Sequence, residues 1–258
     1  MKIATWNVNS LRVRLSQVRD WLGQHQADIL CLQETKLVDA DFPVTEIWAS
    51  GYHVVYSGQK TYNGVAILSR TAALDVVAGM PGHDDPQRRV LAASVDNIRV
   101  INVYIPNGQQ VGTDKYEYKL GWLNRLQVYI QAELAYHRNV VLLGDFNIAP
   151  EDRDVHDPEL WSGKVLCSEP ERAAFRALVQ AGLSDSFRKF EREPGIFSWW
   201  DYRAAAFRRN RGLRIDHILC SAPLYENCSA CGVDTNPRKL ERPSDHAPVV
   251  AEFEDNSG

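Results

Sequence analysis

Nine short runs rich in Val, Ile and Leu, four to eight residues long and bounded by turn residues, punctuate the chain at 2–7, 29–33, 53–56, 64–68, 90–95, 99–104, 140–143, 213–220 and 247–253. Runs of this length and composition read as strands. Between them, apolar residues recur at helical spacing. Leu15, Val18 and Leu22 share a face within 12–25, and Leu120, Leu123, Leu126, Ile130 and Leu134 share one within 116–137. A third helix is predicted over 169–181, with Ser168 as N-cap, Glu171 completing a capping box and Gly182 as the stop. The order is strand, helix, strand, a run of strands, then helix, strand, helix and further strands. Because every sheet face must be covered, this mixture predicts an α/β fold of two packed sheets with helices outside. No linker or repeat divides the sequence, so one domain over 1–258 is expected.

Composition narrows the class. Hydrophobic residues make up 45% and charged residues 24% of the 258, the proportions of an ordinary soluble domain rather than a disordered or fibrous one. No apolar stretch approaches the ~18 residues that suggest a membrane span, and a strand-like segment follows Met1 directly, so neither leader nor membrane partner is predicted. Five irregularly spaced cysteines suit free thiols and a cytoplasmic location better than a disulfide framework. The Cys228–Cys231 pair has no second pair with which to build a zinc site, and the formal sequon at Asn227 is expected to be inert.

The formal charge of −4 weighs against nucleic acid on average, but it conceals a patch. From Arg188 to Arg214 eight basic residues (Arg188, Lys189, Arg192, Arg203, Arg208, Arg209, Arg211, Arg214) face three acidic ones (Glu191, Glu193, Asp201), interleaved with Phe197, Trp199, Trp200, Tyr202 and Phe207. Such a segment is either a surface for phosphates and unstacked bases or a solvated loop over a small aromatic cluster.

The polar residues that interrupt the apolar runs fall at strand ends. Asn7 follows the first run and Glu34 the second, Asp145 and Asn147 follow 140–143, Asp216 and His217 lie within 213–220, and Asp245 and His246 precede the last. Strand ends are rigid mounts for a site. Asn7, Glu34, Asp145, Asn147, Asp216 and Asp245 are all oxygen donors, with His246 the imidazole beside them, and oxygen ligands suit Mg²⁺ or Mn²⁺ rather than zinc. Carboxylates around such an ion, with a histidine flanked by aspartate, are what phosphodiester hydrolysis requires: one group polarises a phosphoryl oxygen and another deprotonates a water.

These segments carry a resemblance. Trp6-Asn7-Val8-Asn9-Ser10, Leu32-Gln33-Glu34-Thr35-Lys36, Asn102-Val103-Tyr104-Ile105-Pro106-Asn107-Gly108, Gly144-Asp145-Phe146-Asn147, Trp200-Asp201-Tyr202-Arg203, Arg211-Gly212-Leu213-Arg214-Ile215-Asp216-His217 and Pro243-Ser244-Asp245-His246 resemble exodeoxyribonuclease III and the apurinic/apyrimidinic endonucleases, from residue 1 to about 253. The resemblance implies the DNase I-like fold, a four-layer α/β sandwich of two mixed β-sheets flanked by helices. It implies a Mg²⁺- or Mn²⁺-dependent DNA-repair phosphodiesterase that acts on double-stranded DNA, 5′ to abasic sites and at 3′ ends; a monomer is the default expectation. Residue by residue, it implies Glu34 as the main metal ligand, with Asn7, Asp145, Asn147 and Asp245 around the ion. Asp145 is implied as the base, preferred over Tyr104 because a phenol ordinarily titrates near 10. Asn147 holds the water, His246 contacts the scissile phosphate and is oriented by Asp216, and Tyr104 and Asn107 are further phosphate contacts. Trp199, Leu213 and Ile215 are implied as the pocket for a flipped-out abasic sugar, with Arg203 and Arg211 on the DNA. Leu213 departs from the aromatic that relatives often carry there, and animal relatives have an arginine near Gln110. The alternatives are an enzyme that is mainly a 3′-5′ exonuclease, a phosphatase on the same fold, or a catalytically silent DNA-binding module.

Overall fold

The computed structural model describes residues 1–254, so the last four residues of the expected domain, 255–258, lie outside it. The first half of the chain forms β1 (Lys2–Asn7), α1 (Leu11–His25), β2 (Ile29–Gln33), α2 (Val44–Trp48), β3 (His53–Ser57), β4 (Val65–Ser69), β5 (Leu74–Ala78), β6 (Val90–Val95), β7 (Ile98–Tyr104) and α3 (Asp114–Tyr136). The second half forms β8 (Val140–Asp145), α4 (Pro158–Trp161), α5 (Glu169–Gln180), β9 (Leu183–Asp185), α6 (Ser186–Phe190), β10 (Trp199–Trp200), β11 (Gly212–Leu213), β12 (Asp216–Ser221), α7 (Ala222–Asn227), β13 (Cys228–Val233) and β14 (Val249–Phe253). Two six-stranded sheets result, ordered β13-β14-β1-β2-β4-β3 and β5-β6-β7-β8-β12-β9, with β10 and β11 as a separate ribbon.

The near-continuous apolar strands are explained by burial on both faces. In β1 and β2, Ile3, Ile29 and Cys31 point between the sheets, where they meet Val141, Leu143 and Ile218. Their neighbours Ala4, Leu30 and Leu32 point outward beneath Val18, Trp21 and Leu22 of α1. The second sheet alternates likewise, and Val140 and Leu142 pack under Leu123, Leu126 and Ile130 of α3 and Phe175 and Leu178 of α5. Period-two alternation thus produces helix, sheet, sheet, helix. A polar bridge crosses the central layer: Asn102 of β7 donates from Nδ2 to the carbonyls of Leu32 and Ala66 in the other sheet, at 2.9 and 2.8 Å, and accepts from Gln33 Nε2 at 2.7 Å.

The helices begin and end close to expectation. Both halves of the capping box between Ser168 and Glu171 are formed, and Thr113 caps α3 through its side chain. The expected strand over 213–220 is broken, because the Arg214 amide donates to Asp154 O and the Ile215 amide to Ser198 Oγ instead of to a ladder. Strands β5, β9, β10 and β13 carry too little apolar patterning to be read in advance: β5 is a largely exposed edge, and β13 is Cys-Ser-Ala-Cys-Gly-Val. All five cysteines are buried free thiols. Among the described residues, no helix is long and apolar enough to cross a membrane.

Candidate active site

Register brings the strand ends together. β1 and β2 are parallel with Asn7 opposite Gln33, so Glu34 follows at the same level. β7 and β8 are parallel with Tyr104 opposite Asp145, and antiparallel β12 sets Asp216 opposite Asp145. β14 runs antiparallel to β1, which delivers the preceding Asp245 and His246 to the same end. There the Ser244 hydroxyl donates to Asn7 O at 2.6 Å, and Trp6 Nε1 donates to His246 O at 3.3 Å. Glu34 and Asn147 leave their strands in the left-handed region, at φ 52° and 51°, strain held by the surrounding structure. Gly144 is required, since a Cβ there would lie 1.9 Å from Val103 O of the neighbouring strand.

The side chains form a connected polar set. Asn7 Nδ2 donates to Glu34 Oε1 at 2.9 Å and to Asp145 Oδ2 at 2.8 Å, bridging the two carboxylates. Glu34 also pairs with Lys36 at 2.8 Å. His246 Nδ1 lies 2.9 Å from Asp216 Oδ2, and its Nε2 is 3.7 Å from Asp145 Oδ2. Burial works against the imidazolium, but the charges of Asp216 and Asp145 outweigh it and raise His246 to about 10. Burial raises Asp145 to about 7, opposed by His246 and reinforced by Asp216. Tyr104 is pushed well above its ordinary value by burial and by the Glu34 and Asp145 carboxylates, so its phenol stays protonated.

Ligand atoms of Glu34, Asp145 and His246 lie within 4.8 Å of one another. Since His246 is held protonated, the hard donors are the two carboxylates. Their crowding around a buried Asp145 is an electrostatic cost that a divalent cation would relieve, so the residues fit such an ion. The other three expected ligands are differently engaged. Asn7 turns its NH₂ to the carboxylates while its Oδ1 accepts from the Asn9 amide. Asn147 Oδ1 accepts from Asn107 Nδ2 at 3.0 Å and its Nδ2 donates to Ile105 O. Asp245 accepts from Asn9 Nδ2 at 2.9 Å and from Trp199 Nε1 at 3.0 Å; although burial opposes it, the His246 charge and these bonds hold its carboxyl below the usual range.

The pattern of the endonuclease/exonuclease/phosphatase family matches residues 4–246 of this sequence. The chain belongs to that family. Exodeoxyribonuclease III of Haemophilus influenzae is 38% identical over 98% of this chain and 100% of its own length. A 3′ phosphatase from Neisseria, NExo, solved with a product DNA hairpin, superposes with a TM-score of 0.97 at 51% identity, covering 98% of this chain and 99% of that one. An AP endonuclease from Archaeoglobus fulgidus gives 0.94 at 42% identity, covering 98% and 99%. The two flanked sheets are therefore the expected four-layer DNase I-like sandwich.

In this family member the polar set floors a cavity of about 300 Å³, lined by Glu34, Tyr104, Asn107, Asp145, Asn147, Asp245 and His246 and walled by Trp161, Val165, Leu166, Trp199 and Ile215. Trp199 and Ile215 line this space. Leu213 does not line the space: it pairs with Trp199 across the β10–β11 ribbon and is fully buried among Val155, Leu166 and Cys167. Trp161, Val165 and Leu166 were not expected. They come from the α4–α5 segment, whose distance in sequence from every strand end hid their role. A larger groove of about 620 Å³ adjoins at Glu34, Tyr104 and Asn107 and includes Arg89, whose guanidinium lies 4.6 Å from the centre of the Tyr104 ring.

The basic segment divides. Arg214 is buried and bonds Asp154 at 2.6 Å and Asp185 at 2.9 Å, Arg188 also pairs with Asp154, and Lys189 donates to the carbonyls of Tyr225, Glu226 and Cys228. These three are structural, as are Phe197 and Trp200, which pack with Phe207 while the Arg238 guanidinium covers Phe207 at 5.0 Å. Arg192, Arg203, Arg208, Arg209 and Arg211 are exposed. The small aromatic cluster is thus present beneath the segment, and five of its arginines face solvent. His217 also leaves the site. Strand alternation turns it outward, where it bonds Ile148 O at 2.9 Å and packs edge-on against Phe146. Ser198, another unexpected contributor, donates to Asp216 Oδ2 at 2.6 Å and so anchors the carboxylate that holds His246.

Proposed function

We propose that this chain is a DNA-repair phosphodiesterase that cleaves the backbone of double-stranded DNA 5′ to abasic sites and removes nucleotides or phosphate from 3′ ends. The observation that carries the reading is the Asp145–His246–Asp216 set on the floor of a small cavity walled by Trp161, Val165, Leu166, Trp199 and Ile215. Such a wall offers apolar contact to an extruded sugar that carries no base. An abasic nucleotide also costs less to extrude than the few kcal/mol of a normal one. The names of the relatives, an exodeoxyribonuclease III, a 3′ phosphatase and an AP endonuclease, support the same chemistry.

Asp145, poised near neutrality, accepts the proton of a water whose oxygen forms the new bond to phosphorus, while the bond from phosphorus to the 3′ oxygen breaks. The imidazolium of His246, held by Asp216, donates from Nε2 to a non-bridging phosphate oxygen and offsets the charge that develops there. Tyr104 and Asn107 donate to the same phosphate, and Asn147 orients the water. Asp245 acts through Trp199, fixing the indole at the wall by its bond to Nε1. Glu34, with Asp145 facing it, would hold Mg²⁺ or Mn²⁺, which when bound polarises the phosphoryl oxygen and stabilises the leaving oxygen. Arg203 and Arg211 lie on the exposed basic strip that meets DNA phosphates. A monomer suffices, since every group in this scheme comes from one chain.

The test uses three end-labelled duplexes with Mg²⁺: one with an internal abasic analogue, one with a recessed 3′ hydroxyl and one nicked with a 3′ phosphate. Incision at the analogue supports the full reading. Shortening or dephosphorylation at 3′ ends with an intact analogue selects the second reading, a 3′-end enzyme, which the 51% identity to a 3′ phosphatase favours. Inertness on all three defeats both.

A further inference from the structure

Lys119 of α3 is completely buried, an unusual place for an ammonium. Its Nζ donates to the carbonyl of Asn147 at 2.7 Å, to the carbonyl of Asn107 at 3.2 Å and to Glu171 Oε1, so all three of its donors are used. Glu171, equally buried, also accepts from the Leu166 amide at 3.0 Å and from the amide and hydroxyl of Ser168. The Ser168 hydroxyl in turn lies 2.6 Å from the Tyr116 hydroxyl. One ammonium–carboxylate pair thus joins three loops, the loop of Asn107, the turn of Asn147 and the wall segment at Leu166, of which the last two also share the bond from the Ala149 amide to Leu166 O at 2.8 Å.

Neither charge reaches the cavity, and a buried pair is not needed for stability, since an apolar pair of equal volume is often as stable or more so. What the pair supplies is geometry. Asn147 sits at φ 51° and Gln109 at 57°, left-handed conformations that cost a non-glycine residue and persist when the surrounding structure over-determines them. The side chains of Asn107 and Asn147 are bonded to each other, and the Asn147 amide donates to Asp145 Oδ1 at 2.9 Å. Displacing the carbonyls that Lys119 grips therefore displaces the groups that face the reacting phosphate. We propose that Lys119 is a positioning residue for phosphodiester hydrolysis, setting Asn107 and Asn147 against Asp145 and, through Glu171, the distance from them to the Leu166 wall. This rests on the nuclease reading above.

The experiment compares wild type with two double variants, Lys119→Met/Glu171→Gln and Lys119→Gln/Glu171→Gln, in steady-state cleavage of the duplex that wild type cuts, alongside thermal unfolding. Both variants remove both charges, so neither leaves a buried ion unpaired, but only the glutamine at 119 retains an N–H donor for the carbonyls. The expected result for the methionine variant is a cooperative unfolding transition, lowered by no more than the two carbonyls left without a donor explain, kcat lower by about 10- to 100-fold and KM within about threefold, the cost of misplacing groups around a bound substrate. The glutamine variant should recover part of kcat at similar stability. A folded methionine variant with wild-type kcat, a loss confined to KM, or equal kcat in both variants overturns the proposal. If the methionine variant does not fold, the glutamine variant decides: lowered kcat with unchanged KM supports positioning, and unchanged kcat overturns it. Wild type inactive on every duplex would defeat the nuclease reading and this proposal with it.

Discussion

The Asp216 carboxylate accepts the Nδ1–H of His246 at 2.9 Å, so a residue on β12 sets the charge of one just before β14, in the opposite sheet. Asp216→Asn keeps a hydrogen bond but removes the negative charge. The raised pKa of His246 means that its cationic form is present below about 10 and is lost as pH rises through that value. The variant's alkaline limb should therefore move toward neutral pH, with kcat reduced about 10²–10⁴-fold. A pH–rate profile of cleavage checks this, and an unmoved alkaline limb would remove His246 from the phosphate.

Asp145 has the opposite dependence. Its pKa of about 7 means that the base form grows as pH rises through neutrality, and a bound cation, which favours carboxylate, should shift that limb to lower pH. Asp145→Asn should reduce turnover at least about 10²-fold while DNA binding persists. EDTA should also abolish turnover and spare binding, because the exposed arginines remain. Gel-shift and cleavage assays run in parallel distinguish the two effects.

The division of the basic segment predicts two phenotypes. Arg214→Ala leaves Asp185 without its cation and Asp154 with Arg188 alone, and should cost about 3–5 kcal/mol, read as a fall of about 10 °C in thermal unfolding. Replacing Arg208, Arg209 and Arg211 by Ala should leave unfolding unchanged but weaken DNA affinity. The slope of log affinity against log salt should become shallower by about 0.9 for each phosphate that is no longer neutralised. An unchanged slope would take the strip off the DNA.

His217 predicts an acid limit to stability. It is completely buried; burial first, then the adjacent Arg214 charge, lowers its pKa from 6.5 to about 4. The unfolded chain therefore binds this proton more readily than the folded one. The contribution of the neutral ring is complete above 6.5 and is lost as pH falls toward 4, amounting to about 3 kcal/mol. Denaturant unfolding between pH 7 and 4 should show a steeper loss of stability in wild type than in His217→Gln.

Legibility in the sequence followed the range of the interaction. Strands 2–7, 29–33 and 90–95 were readable because both faces are buried, which makes apolar content a local property. The capping box at Ser168 was readable because its partners are three residues apart. The edge strand at Leu74 and the small residues of β13 were not, since pairing with a neighbour rather than side-chain pattern makes them strands. In the site, the identity of the oxygen donors at strand ends was legible, but their division of labour was not. Asp245 is held by Asn9 and Trp199 while Asp145 faces Asn7, Asp216 and His246, and the wall is formed by Trp161, Val165 and Leu166 rather than Leu213.

The sequence by itself therefore determined the layered α/β architecture and the chemistry available at its strand ends, because both depend on alternation and turn residues that are neighbours along the chain. Only the tertiary structure decided which of those groups meet, which arginines are spent on buried aspartates, and that an ammonium on α3 holds the floor of the cavity. Those outcomes depend on register between distant strands and on the desolvation of charges, and neither exists until the two sheets have closed on each other.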